Sequence, residues 1–486
     1  MADVLPPIAG NGSQGDTAQM TTDFEIARKA RKEPLEKLHR DLADKGARYI
    51  HVHMPEVNGV FRSKTAPFKL AYNGDALNAI LYCVAHSDGA PTAIPVFAGP
   101  ISNDDNGYPN IMALPDPMTV RQHGWDPRFS SVILNSFLLD GTRCPLDPRA
   151  ILKDQEDRAR KLGYEPRFAL EYEFGIFHAD HELMRTGRYR ELKPWGHSYV
   201  NYDLVRGGDY QSFIAEFIDR MASLNIGIAS MVTEYGYGMY EFALAPKPAL
   251  EAADDAMRAK LHLRELCAER GLVATFMTRF QPPGRESACG GHHHQSLWRD
   301  GRNAFAAGPG MLSEVAQQYL AGMLARLNET HLLFRPTINS YRRFDRGAWS
   351  PEDASWGFEN RTAAIRAITT PTEEVARFEH RVPGADVNPY LTVAAMLAAG
   401  LDGIEGRLPL EAPAPGNPGP LGRPALSRTL RESMEAFRQS DFVLRVFGDA
   451  FRSHYLMSRE AEQDAFDGWL AGQITDFEFQ RYFIGT

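Results

Sequence analysis

Apolar positions along the chain change their period several times, and each change marks an element. Residues 1 to 22 carry Gly, Ser, Gln, Asn and Thr with little periodicity, which predicts a flexible leader. Helical spacing begins near Asp23. From Arg48 the run Arg-Tyr-Ile-His-Val-His-Met alternates, and Asn58-Gly59 then supplies the residues that a tight hairpin turn needs for positive φ. A small β-rich unit is therefore expected, running to the Pro- and Asp-rich stretch from Cys144 to Pro148. There Asp147-Pro148 can initiate a helix carrying Leu152. The expected division is a first domain over 23–143 and a second over 144–486.

Beyond that boundary, strands are predicted at Arg167 to Phe177, Gly227 to Glu234, Met239 to Ala245, Leu272 to Thr278 and Ala376 to Val382. Helices with an apolar face are predicted at Asp209 to Leu224, Leu250 to Arg270, Leu312 to Glu329 and Pro389 to Ile404. This order implies α+β architecture rather than a regular βαβ winding. Pro413 to Pro424, rich in Pro and Gly, reads as a surface loop before a closing helical segment.

A chain of 486 residues, 43% hydrophobic and 24% charged, is neither disordered nor a disulfide-stapled module. The net charge of −9 argues against nucleic acid or an anionic membrane as partner. Cys83, Cys144, Cys267 and Cys289 are widely spaced without a C-x-x-C pair, which suggests free thiols in a reducing compartment. No run approaches eighteen apolar residues, and the amino terminus lacks the pattern of a secretory signal. The expected location is the cytoplasm.

Chemistry concentrates in four places. Glu171 and Glu173, two apart in a β-prone run, face one way on a strand, about 6.6 Å apart along the chain, while Leu170, Tyr172 and Phe174 face the other. The pair suits neighbouring cations; the alternative is a solvated strand face. Glu234 and Glu241 flank Tyr-Gly-Tyr-Gly-Met-Tyr, a turn that can bring both carboxylates to one cavity. In Cys289-Gly-Gly-His-His-His-Gln-Ser, an extended backbone projects His292 and His294 together and His293 away; the alternative is three exposed loop histidines. Arg343, Arg361 and Arg366 precede the alternating set Arg377, Glu379 and Arg381, whose guanidiniums suit phosphate and carboxylate unless they form ordinary surface ion pairs. Oxygen-rich ligands select Mg²⁺ or Mn²⁺, and several arginines beside them point to phosphoryl transfer. There is no G-x-x-x-x-G-K-[ST] motif, so any ATP site is not of the P-loop type.

In this order the elements resemble the glutamine synthetase superfamily from about residue 35 to the carboxyl end. The likeness is densest in Glu171-Tyr-Glu-Phe, Ala274-Thr-Phe-Met, His292-His-His-Gln-Ser-Leu, Asn339-Ser-Tyr, Asn360-Arg-Thr-Ala and Asn388-Pro-Tyr-Leu. The resemblance implies a small N-terminal β-grasp domain, a larger catalytic domain, and a homo-oligomer of stacked rings with active sites between subunits, a dodecamer of two hexamers. It implies that Glu173, Glu234 and Glu241 hold one metal ion, and Glu171, His292 and Glu379 the other. Arg343 and Arg381 match residues for the glutamate side or the transferred phosphoryl group, Arg361, Arg366 and Arg377 match those for ATP phosphates, and His294 and Ser296 match nucleotide-side positions. The reaction implied is phosphorylation of the glutamate γ-carboxylate by ATP, then displacement of phosphate by an amine.

The departures bear on that amine. Where glutamine synthetases carry a flap glutamate, this chain has Trp349; an aspartate of the ammonium site is replaced by Asn110, and Asp88 keeps the other. An indole in place of anionic groups suits a larger, partly apolar ammonium. Trp356-Gly-Phe-Glu-Asn-Arg-Thr and Val382-Pro-Gly-Ala-Asp-Val-Asn-Pro-Tyr-Leu look most like γ-glutamylpolyamine and related γ-glutamylamide synthetases. The loop before His292, Gly-Arg-Glu-Ser-Ala-Cys-Gly-Gly, departs from the family's pattern at the amino-acid substrate. The Pro- and Gly-rich stretch near Pro415 replaces the loop adenylylated in some bacterial relatives, so that regulation is not expected. The first reading is an ATP-dependent glutamate–amine ligase. Its competitors are a glutamine synthetase using ammonia, with Asp88, Asp345, Glu352 or Asp353 in place of the flap carboxylate, a non-catalytic structural or regulatory relative, and a metal-dependent amidohydrolase. A complete ligand set argues against a scaffold, and the phosphate-suited arginines argue against the hydrolase.

Overall fold

The computed structural model describes residues 21–68, 80–83, 101, 103–107, 109–196, 200–204, 210–281, 288–344, 349–417 and 423–484. The expected leader falls almost wholly outside them, but Thr22 caps helix α1 (Asp23–Asp44): its hydroxyl accepts the Glu25 N–H while the Glu25 side chain accepts the Thr22 N–H. The strand-rich N-terminal region comprises β1 (Tyr49–Pro55), β2 (Phe61–Pro67), β3 (Ile80–Cys83), β4 (Asn110–Pro115), β5 (Arg121–Gln122) and β6 (Phe129–Phe137). The order is β2-β1-β6-β4-β3, with β5 on β6. β1 runs parallel to β6 and antiparallel to β2. Gly59 in the β1–β2 turn takes φ +77°, as the Asn58-Gly59 pair predicts. Ile50, Val52 and Met54 of β1 share a core with Val132 and Leu134 of β6 and with Leu35 and Leu42 of α1.

The larger sheet contains β7 (Glu165–His178), β8 (Ile228–Thr233), β9 (Met239–Leu244), β10 (Lys247–Pro248), β11 (Leu272–Thr275), β12 (Gly291–Arg299), β13 (Arg302–Asn303), β14 (Trp356–Phe358), β15 (Ile365–Ile368) and β16 (Arg377–His380). Its main path is β14-β15-β16-β12-β7-β9-β8. The helices that follow α1 and matter here are α2 (Pro148–Lys161), α3 (Tyr210–Ser223), α4 (Ala249–Glu269), α5 (Glu314–Arg326) and α6 (Pro389–Glu405). β7 is the spine, and its alternation divides the sheet into two faces: Leu170, Tyr172 and Phe174 are fully buried in the helical core, while Glu171 and Glu173 face the opposite way. Helix α6 is apolar around nearly its whole circumference and buried without interruption from Pro389 to Leu401.

All five strands and all four helices predicted beyond the boundary are present, with ends displaced by a few residues. The histidine run is β12, a full strand, rather than an exposed loop. Its middle residue points to the core as expected, where His293 Nδ1 meets the Gly291 carbonyl at 2.8 Å and Nε2 meets Thr392 Oγ1 of α6 at 2.9 Å. The strand-rich region and the second sheet are joined by Arg149 of α2, which is bidentate to Asp254 of α4 (2.8 and 2.9 Å) and reaches Asp116 at 2.8 Å. Among the described residues, no helix is long and apolar enough to cross a membrane.

Candidate active site

Five neighbouring strands put their chemistry on one face. In the antiparallel register Glu173 of β7 lies opposite Glu241 of β9, Glu171 opposite His292 of β12, His294 opposite Glu379 of β16, and Glu379 opposite Arg366 of β15. Because side chains alternate with period two, this register aligns carboxylates and imidazoles into a row across the sheet. His292 Nδ1 lies 2.8 Å from Glu171 Oε1 and 3.7 Å from Glu379 Oε1, and His294 Nε2 lies 3.6 Å from Glu171 Oε2. Two groups have the ligand spacing for a metal ion, Glu171–Glu241–His292 and Glu171–His294–Glu379. They share Glu171 and include four of the six residues that the resemblance names, Glu171, Glu241, His292 and Glu379, with His294 as a further donor; Glu173 and Glu234 belong to neither group.

The row is electrostatically asymmetric. At the Glu379 end, burial would raise the carboxyl, but Arg381 together with His294 and His292 holds it down at about 2. Arg366 Nη1 donates to Glu379 Oε2 at 3.0 Å, and Arg381 also donates to Glu379. At the other end, burial and then the charges of Glu171, Glu173 and Glu234 push the Glu241 carboxyl up to about 10. Glu234, just beyond the end of β8, is close enough for its charge to act on Glu241. This end carries carboxylates in excess, and an oxygen-rich set with an imidazole fits a hard divalent cation such as Mg²⁺ or Mn²⁺.

The arginines surround the row. Arg343 Nη2 lies 3.3 Å from His292 Nε2; burial pulls its guanidinium down to about 10, with Glu173 opposing. Arg377 Nε donates to His294 Nδ1 at 3.2 Å. Arg361 is exposed, and its carbonyl accepts Arg381 Nε at 2.9 Å. Ser296, further along β12, accepts the indole N–H of Trp298 at 3.0 Å. Trp349 does not pack into the row: the residue is 58% exposed and its backbone is left-handed at φ +51°. Asp88 and Asp345 lie outside the described residues. Glu352 is engaged by Arg428 at 2.7 Å, Asp353 is buried, and Asn110 is exposed at the start of β4.

Two contributors escaped the sequence reading. Glu359 accepts from Arg366 Nε at 3.1 Å, so this arginine bridges two carboxylates. Gly290 donates its N–H to Glu173 Oε2 at 2.9 Å, and a Cβ there would fall 2.7 Å from His292 Nε2 and 2.8 Å from Arg343 Nη2. The Gly-Gly pair before the histidines was the available signal for such a close approach.

Residues 145–482 match the family model described as the catalytic domain of glutamine synthetase. The chain is 36% identical over 384 residues to gamma-glutamylethanolamide synthetase GlnA4 of Streptomyces coelicolor, covering 79% of this chain and 81% of that one. It is 33% identical over 445 residues to a glutamate–isopropylamine ligase of a Pseudomonas species, covering 89% and 94%. A solved GmaS–ADP complex shares the fold with a TM-score of 0.77 at 24% identity, over 92% of this chain and 99% of that one.

Proposed function

The chain belongs to the glutamine synthetase family, and from that premise we propose that it is an ATP-dependent ligase joining a small organic amine to the γ-carboxylate of glutamate. The observation that carries the reading is the single row of Glu173, Glu171, His292, His294 and Glu379 with Arg343, Arg366, Arg377 and Arg381 beside it. Glu173, Glu234 and Glu241 would hold one divalent cation, and Glu171, His292 and Glu379 a second. Such cations, when bound, offset the charge on the phosphates of ATP and on the group being transferred.

The protein's own groups account for the rest. Arg343 and Arg381 orient the glutamate carboxylate and the phosphoryl group in transit, and Arg361, Arg366 and Arg377 grip the remaining phosphates, assisted on the nucleotide side by His294 and Ser296. A γ-carboxylate oxygen attacks the terminal phosphorus and ADP leaves, giving γ-glutamyl phosphate. The amine nitrogen then attacks the acyl carbon, phosphate carries away the bonding electrons, and the nitrogen loses a proton. Asp88 is proposed to receive that proton.

The reading of an organic amine, rather than ammonia, is supported by the relatives named for ethanolamide and isopropylamine products. It is supported too by the engagement of Glu352, a candidate flap carboxylate, with Arg428. A polyamine is one member of the amine class rather than the favoured one. We further propose that Trp349 forms a wall of the amine pocket, where each buried methylene would contribute about 0.8 kcal/mol. Phosphate release from ATP and glutamate should be compared for ammonium, ethanolamine, isopropylamine and a diamine. Higher specificity constants for an organic amine are expected, and Trp349→Glu should shift them towards ammonium. A wild type preferring ammonium would favour an ordinary glutamine synthetase.

A further inference from the structure

Arg343 takes its pose from a backbone strap. Its Nη1 donates to three successive carbonyls, those of Arg381 (2.9 Å), Val382 (3.0 Å) and Pro383 (2.9 Å). The strap, residues 381–388, runs from the end of β16 to the cap of α6, and successive residues are pinned by different elements. The Gly384 N–H donates to the Phe334 carbonyl at 3.2 Å and the Ala385 N–H to the Cys289 carbonyl at 3.1 Å. The Ala385 carbonyl accepts Lys260 Nζ of α4 at 2.8 Å, from a buried ammonium lying 4.8 Å from the rings of both Tyr172 and Phe276. Asp386 Oδ2 accepts Ser340 Oγ at 2.6 Å and Thr337 Oγ1 at 3.0 Å, within the short segment that carries Arg343 itself.

The end of the strap is held from the other sheet. Asn388 Oδ1 caps α6 by accepting the N–H groups of Tyr390 (2.9 Å) and Leu391 (3.2 Å), while its Nδ2 donates to the carbonyls of Glu56 (2.9 Å) and Val57 (3.2 Å). Both carbonyls belong to the end of β1 and its turn. The turn lies so close that a Cβ on Gly59 would approach Asn388 Cα to 2.9 Å. Asn58 Oδ1 accepts from Arg459, whose Nη1 donates to the Pro336 carbonyl at 2.9 Å, just before the Arg343 segment.

We propose that the β1–β2 turn, acting through Asn388 and the 381–388 strap, is a positioning element for Arg343, so that the N-terminal sheet of the same chain sets the site's hold on its acid substrate. Lys260 holds the strap at the Ala385 carbonyl. None of these groups touches the reacting atoms; they act through the carbonyls that orient a guanidinium, and misplacing an orienting group by about 1 Å costs function heavily. The inference rests on the assignment of Arg343 to the glutamate side.

Two substitutions separate this role from general stability. Asn388→Ser retains a helix cap but is too short to reach Glu56 and Val57; Lys260→Met keeps an apolar stem between the two rings but donates nothing to Ala385. Each variant should raise KM for glutamate about tenfold while KM for ATP stays within about twofold. Hydrogen exchange of the amides over 336–344 should accelerate, with that of β7 and β12 unchanged. Equal rises in both KM values, a fall in kcat alone, or unchanged exchange over 336–344 would overturn the proposal. A wild type without glutamate-dependent phosphate release would instead overturn the reading of function, and the exchange measurement would then decide the strap's coupling by itself. If one variant fails to fold, the other carries both measurements.

Discussion

Glu241 is the residue on which a bound cation would act most strongly. A carboxyl pushed up to about 10 by burial and three neighbouring carboxylates is protonated at neutral pH until positive charge enters beside it. Glu379, three strands away on the same sheet face, is ionised because Arg381 and the two histidines outweigh its burial. Replacing Glu173 or His292 with alanine should therefore cut divalent-cation-dependent turnover by at least about tenfold, with the loss greatest at limiting metal. Neither side chain contributes much apolar packing, so the melting temperature should change little. Metal titrations of activity in both variants check this; turnover equal to wild type at limiting metal would remove these residues from the ligand sets.

At the scale of elements, the β1–β2 turn carries a second titration. Burial pushes the Glu56 carboxyl up to about 7, against the pull of Arg62 and of hydrogen bonds from Asn58 and Val60. The unfolded chain ionises this group near 4.5, so its contribution to stability is complete below that pH and is lost as pH rises through 4.5 towards 7. Glu56→Gln should abolish this dependence, and its advantage over wild type in urea unfolding should grow by about 3 kcal/mol between the two ends of that window. A constant difference across the window would contradict it. The elements most legible in the sequence were those whose burial follows a simple period. β7 alternates Leu170, Tyr172 and Phe174 against its two glutamates, and α6 is continuously apolar from Tyr390 to Leu401 apart from Thr392. The paired carboxylates, the histidines and the arginines were legible as chemistry for the same reason. β12 was harder to read as a strand, because its buried face is supplied by His293 and Gln295, which pair with Thr392 and Tyr319 rather than following an apolar alternation. β14 and β15 are three and four residues long, too short for any period to register. The segments holding Glu359 and the strap stood out as motifs, but their roles could not be read, since these come from contacts between segments distant in the chain.

For the whole molecule, the resemblance to the glutamine synthetase superfamily, which implies stacked rings, leads us to propose a homo-oligomer in which a neighbouring chain supplies Asp88 to each site. Light scattering on freshly purified protein should then report a large assembly, a dodecamer of two hexameric rings, and activity should fall as dilution dissociates it; a fully active monomer would contradict the shared site. In the proposed reaction a γ-carboxylate oxygen of glutamate leaves on phosphate while an organic amine takes its place. Glutamate labelled with heavy oxygen at the γ-carboxylate, incubated with ATP, divalent cation and isopropylamine, tests it most directly by mass spectrometry of both products. The expected result is γ-glutamylisopropylamide together with phosphate carrying a heavy oxygen; phosphate released without the label, or labelled glutamate recovered with no amide formed from any organic amine, would contradict the account.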